Sequence, residues 1–208
     1  MFKHINTKSV QSTGVALGLS SVASMALAHD GHLHSLADTA STGMALLSGL
    51  IHPVTGPDHL LMLLCAGLSL KAGAAFRQGG MYVLAMLLGA LVASAGWVVP
   101  GLEWVLAATV LAGGLLLLIH PQSIRGHANG LLAVGVSVAL ACHGAAHGLE
   151  APAVGFNAFM AGMLLASGAL LAVGVKAREW LQGSAMPQWN HWVSAAVSAS
   201  GLLMLVTR

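Results

Sequence analysis

The chain has 208 residues, 57% of them hydrophobic and only 7% charged, with a formal net charge of +2. A soluble domain carries about 25% charge, so lipid is the expected main solvent, and so small and dispersed a positive balance excludes nucleic acid as a partner. Histidine is over-represented, with eleven copies against eight basic and six acidic residues, which in a membrane protein favours metal or proton chemistry over surface solvation.

In chain order, the first 28 residues read as a signal peptide. Lys3 and Lys8 precede a short apolar stretch, and Ala26-Leu27-Ala28 is a small-x-small cleavage pattern. The mature chain, 29–208, then opens with "HDGHLHS" outside the cytoplasm, where His29, His32 and His34 form an accessory patch able to concentrate metal ions. Apolar segments follow at about 41–70, 81–99, 102–119, 128–149, 153–175 and 190–207. A helix needs roughly 20 apolar residues to cross a bilayer. The expectation is therefore an all-α membrane protein, one domain of six transmembrane helices, with the first segment longer than the rest.

Charge decides whether that first segment crosses once or twice. With one crossing, Lys71, Arg77, Arg125, Lys176 and Arg178 fall on the cytoplasmic side and only Arg208 lies outside, as the positive-inside bias requires. Two crossings would invert all five. The chain is thus expected in the inner membrane with its mature N-terminus and its C-terminus periplasmic. Trp97, Trp104, Trp180, Trp189 and Trp192 sit near segment ends and read as interfacial anchors. Cys65 and Cys142 lie within spans and read as packing residues rather than a disulfide.

Two stretches break the apolar pattern. "HPVTGPDH", residues 52–59, places His52, Asp58 and His59 beside Pro53, Gly56 and Pro57 inside the first segment. The prolines remove backbone donors and the glycine weakens the helix, so a helix broken at Pro53–Pro57 is expected. A charged aspartate at the centre of a span costs roughly 2.5–3.5 kcal/mol, which needs a partner in return. Broken helices are a device by which transporters hold an ion. "CHGAAHGLE", residues 142–150, spaces His143, His147 and Glu150 by four and three, one stripe on a helix. Two imidazoles and a carboxylate on one face suit a metal half-site. His52 lies roughly 16 Å in from the outer end of its segment at the helical rise, and His143 stands at a similar depth from the same side, so the two clusters can face each other. His120 and His127 bracket an inside loop and His191 stands by Trp192; these read as ordinary polar and interfacial residues.

The two motifs, "HPVTGPDHLLMLLCAG" and "HGAAHGLE", behind a signal peptide and within a small six-span chain, resemble those of the HupE/UreJ family. The resemblance implies a permease for Ni²⁺, with Co²⁺ as the other candidate ion, associated with hydrogenase or urease maturation. Its first motif falls on His52, Asp58 and His59, and its second on His143, Gly144, Ala146, His147, Gly148 and Glu150; Cys142 stands where the family usually has phenylalanine. The resulting expectation is a secondary permease with a metal site of His52, Asp58, His59, His143, His147 and Glu150. The ion is cargo, not a permanent cofactor, and a metallochaperone or an outer-membrane receptor would be its partners. No nucleotide-binding loop occurs in the sequence, so transport is expected to be passive, potential-driven or ion-coupled. Binding needs neutral imidazole, so uptake should fall as external pH drops below the ordinary histidine value of about 6.5. The alternatives are an intramembrane zinc-dependent hydrolase using the same ligands and a metal sensor or storage module.

Overall fold

Two prolines four positions apart decide how the first helical run is built. The structure, a computed structural model, describes residues 41–118, 127–183 and 188–208. The expected signal peptide, His29, His32, His34 and the loop containing His120 and Arg125 lie outside the described residues. Within them, α1 spans Thr42–Thr55 and α2 Pro57–Ser69. Pro53 is buried and stays inside α1. Pro57 is what ends it: the residue before a proline is pushed out of the helical region, and Gly56 takes φ −82°, ψ 108°. Pro57 then occupies the first turn of α2, where its missing N–H costs nothing. The break is one residue wide, narrower than the expected Pro53–Pro57 interval.

The remaining helices are α3 (Ala72–Ser94), α4 (Leu102–Leu118), α5 (His127–Glu150), α6 (Phe156–Gly183) and α7 (Trp189–Thr207). Two boundaries differ from those expected. The apolar segment placed at 81–99 is a helix that starts at Ala72, because the alanine-rich lead-in carries it through Arg77 and Gln78. It stops at Ser94, where Gly96 at φ +96° opens a turn that Pro100 and Gly101, at φ +68°, complete. α6 has 28 residues, roughly 42 Å at the helical rise, so Lys176, Arg178 and Glu179 ride on its end rather than in a loop. Among the described residues, three helices are long and apolar enough to cross a membrane: Gly73–Ser94, Gly130–Glu150 and Phe156–Gly183. α2 and α4 are shorter apolar helices. Leu84, Leu88, Leu165 and Leu202 point outward from the bundle, as suits a protein solvated by lipid.

Small residues let the backbones touch, the usual basis of helix association without water. Gly49 of α1 lies against Phe159 and Met163 of α6, and Gly67 of α2 lies against Leu171 and Gly174 further along the same helix. α1 and α2 therefore advance along α6 in one direction, and the break bends the run without reversing it. Gly144 and Gly148 of α5 lie on Met86 and Ala90 of α3, which runs parallel to it. Gly114 and Leu111 of α4 meet Ser198 and Gly201 of antiparallel α7. Arg178 of α6 is buried and donates from Nη1 to the carbonyls of Leu68, Ser69 and Leu70 at 3.2, 3.1 and 3.3 Å, closing the C-terminal end of α2.

Candidate metal centre

The break in the first run brings its two histidines together. In an unbroken helix, His52 and His59 would share a face but stand about 10 Å apart along the axis. Across Gly56 their ring centroids are 6.0 Å apart. The carbonyls near the break are otherwise engaged: the oxygen of His52 accepts from the N–H of Gly56 at 3.1 Å and from the hydroxyl of Thr55 at 3.1 Å, and that of Gly56 accepts from the N–H of Leu60 at 2.9 Å. The break thus acts by aiming side chains.

α5 supplies the other half. Gly144 and Gly148 draw it onto α3, and its stripe turns His147 and Glu150 toward α1 and α2. His147 is fully buried, with its ring centroid 4.0 Å from that of His59 and 4.8 Å from that of His52. His52 Nε2 and Glu150 Oε2 are 2.8 Å apart. One donor atom from each of His52, His59, His147 and Glu150 lies within 4.8 Å of all the others. Imidazole nitrogens bound to one ion at about 2.1 Å can be at most about 4.2 Å apart, so a closure of a few tenths of an ångström per ligand would seat a metal. Neither ring nitrogen of His147 has a hydrogen-bond partner among the described residues. Leaving such a group buried and unmet costs about 1–3 kcal/mol.

Asp58 and His143, also expected at the site, stand behind His59. Asp58 Oδ1 accepts from the backbone N–H of His59 at 2.9 Å and lies 2.9 Å from its Nδ1, which leaves Nε2 as the atom His59 has to offer. The hydroxyl of Thr109 donates to the carbonyl of Leu106 at 2.7 Å, so its oxygen accepts from Nε2 of His143 at 2.9 Å. Nδ1 of His143 then faces Nδ1 of His59 at 3.3 Å. Carboxylates and hydrogen bonds of this kind fix the tautomer and orientation of ligating histidines. The far oxygen of Asp58 accepts from Arg208 at 3.2 Å, and Arg208 also donates to the carbonyl of Glu103 at 2.6 Å.

The cluster lies at the end of the bundle where α5 finishes, α4 and α6 begin and α7 ends. His52 and Glu150 form its rim, with side chains 19% and 31% exposed, while His59 and His147 form its floor. Phe159 of α6 stands against His52, ring centroids 5.5 Å apart. Cys142 packs beside Ala93, Leu102, Leu106, Ala145 and Ala146, outside the four-residue group. Sequence reasoning missed Thr109 and Arg208. A lone hydroxyl in an apolar span hints at the first; nothing in the sequence ties the second to Asp58.

The chain matches the family described as HupE / UreJ protein over residues 17–205. It is 27% identical over 164 residues to Protein HupE of Rhizobium leguminosarum bv. viciae, covering 77% of this chain and 84% of that protein. No solved structure matches. The chain belongs to the HupE/UreJ family, as its two histidine motifs led us to expect.

Proposed function

We propose that this HupE/UreJ protein is a secondary permease that admits Ni²⁺, with Co²⁺ as the other candidate, across the inner membrane for metalloenzyme maturation. The bundle is read as six spans, with α1 and α2 forming one bent crossing and the metal cluster opening to the periplasm. The parallel course of α1 and α2 along α6 supports this arrangement, and so does the separation of the cluster from Lys71, Arg77 and Lys176 at the opposite end.

The observation that carries the reading is His147, wholly buried, without a hydrogen-bond partner among the described residues at either nitrogen, and grouped with two imidazoles and a carboxylate. A histidine serving only as packing would find a hydrogen bond. Imidazole and carboxylate together suit borderline divalent ions. An ion arriving at the rim exchanges its waters for Glu150 and His52, whose mutual 2.8 Å contact must open to receive it. It then gains His59 and His147. Asp58 holds His59 with its Nε2 lone pair facing the ion, and His143 with Thr109 braces the same ring from the other side. An inside-negative potential contributes about 2.3 kcal/mol per charge per 100 mV, a sufficient drive for a dication.

Uptake of radioactive nickel by cells tests the proposal. His52→Ala and His143→Ala should both lower uptake strongly, the first by removing a ligand and the second by loosening His59. Uptake unchanged in both would refute the site.

A further inference from the structure

The cluster has a floor, and beyond it the helices leave recesses that are partly open to the surface of the bundle. A cavity of about 230 Å³ lies between α2, α4 and α5. Thr109, which braces His143 above, is also part of the cavity wall. A second cavity of about 180 Å³ shares Ser69, Leu116 and Val136 with the first and reaches Lys71, Gln78 and Tyr82 at the opposite end of the bundle.

Helical spacing makes this space a continuation of the site. On α2, Met62, Ala66 and Ser69 follow His59 at intervals of three and four, with Cys65 beside them. On α4, Gly113 and Leu116 follow Thr109; on α5, Ala139 and Val136 continue from His143. Each of these stripes starts at or beside the cluster and descends one wall of the cavity, covering about 15 Å along α2 at the helical rise. Gly113 and Ala139 are small, and the sulfur of Met62 lies beside Gly113, 3.6 Å from where a Cβ would sit.

We propose that this passage is the inward route of the ion. The inference rests on the permease reading above and names its exit path. The donors along the first cavity are a thioether, a thiol and the hydroxyls of Ser69 and Thr109, neutral and sparse, and the second adds the Gln78 amide, the Tyr82 hydroxyl and, at its far end, the cationic Lys71. They hold a borderline dication more weakly than three imidazoles and a carboxylate, and a conducting path requires that the ion can leave each station. Leu116 and Val136, common to both cavities together with Ser69, whose hydroxyl donates to the Ala66 carbonyl, form a largely apolar neck that stays closed to ions until it wets.

The test is Ni²⁺ flux in proteoliposomes, read beside Ni²⁺ binding by the purified full chain. Gly113→Leu fills the cavity below the cluster. It should bind Ni²⁺ with wild-type affinity and lose flux by roughly tenfold or more, while Gly113→Ala, whose Cβ fits, should keep both. Gly113→Leu that binds and conducts like wild type overturns the route. If Gly113→Leu fails to fold, Cys65 reads the same passage: in a Cys142→Ala background, a small cationic methanethiosulfonate applied on the Lys71 side should stop flux. Flux that continues once Cys65 is modified, or a Cys65 that stays unmodified throughout active Ni²⁺ transport, when the neck must wet, overturns the route. Wild-type protein that carries no Ni²⁺ would instead defeat the permease reading itself.

Discussion

Replacing His147 with leucine should make the metal-free protein more stable while ending transport. The side chain is fully buried and neither nitrogen is hydrogen-bonded among the described residues. An unmet buried polar group costs about 1–3 kcal/mol, and leucine fills similar space without that cost. For a chain of this size each kcal/mol moves the melting temperature by about 2–4 °C, so His147→Leu should melt roughly 2–12 °C higher without metal. Added Ni²⁺ should reverse the order: a ligand at one hundred times its Kd stabilises the wild type by about 2.7 kcal/mol, and the variant should gain little. The assay is thermal unfolding of detergent-solubilised protein with and without Ni²⁺, paired with flux in proteoliposomes. A variant that melts lower in the absence of metal and still transports would mean that His147 is a packing residue.

Three further outcomes follow from the same geometry. Asp58→Asn removes the charge that aligns His59 and pairs with Arg208; the KM for Ni²⁺ uptake should rise about 10- to 100-fold with Vmax largely kept, and an unchanged KM would detach Asp58 from the site. In Gly148→Ala the new Cβ would lie 2.8 Å from Cα of Ala90 and closer still to its carbonyl oxygen. α5 must then retreat by several tenths of an ångström and carry His147 with it, lowering stability by about 1–3 kcal/mol and weakening Ni²⁺ binding, both readable by thermal shift. Arg178→Gln strips the charge that closes α2 from three carbonyls; a loss of about 1.5–3 kcal/mol is expected, with Arg178→Lys intermediate in melting temperature.

How much of this could be read from the sequence depends on the range of the interaction. The break in the first run was legible because Pro57 acts on its immediate neighbour, and the stripe of His143, His147 and Glu150 because helical spacing is local. That the two clusters meet followed from charge placement along the chain, a coarse signal that fixes the end of the bundle but not which atoms touch. The division between the four grouped donors and the bracing pair was not legible. It depends on the bend at Gly56 and on how closely Gly144 and Gly148 let α5 approach α3. Arg178 was read only as a cation on the cytoplasmic side; the packing of α6 on α2 is what turns it into a helix cap. A partner for Asp58 was expected but not which one; His59 supplies it from the next position and Arg208 from 150 positions away.

The central claim is tested most directly by Ni²⁺ accumulation in proteoliposomes under an imposed inside-negative potential. A potential of 100 mV supplies about 4.6 kcal/mol for a dication. Wild-type protein should concentrate Ni²⁺ while the potential lasts, release it when the potential is collapsed, and do neither after His147→Leu. Stoichiometric Ni²⁺ binding with no accumulation at any potential would contradict the account and mark the cluster as a sensor or store.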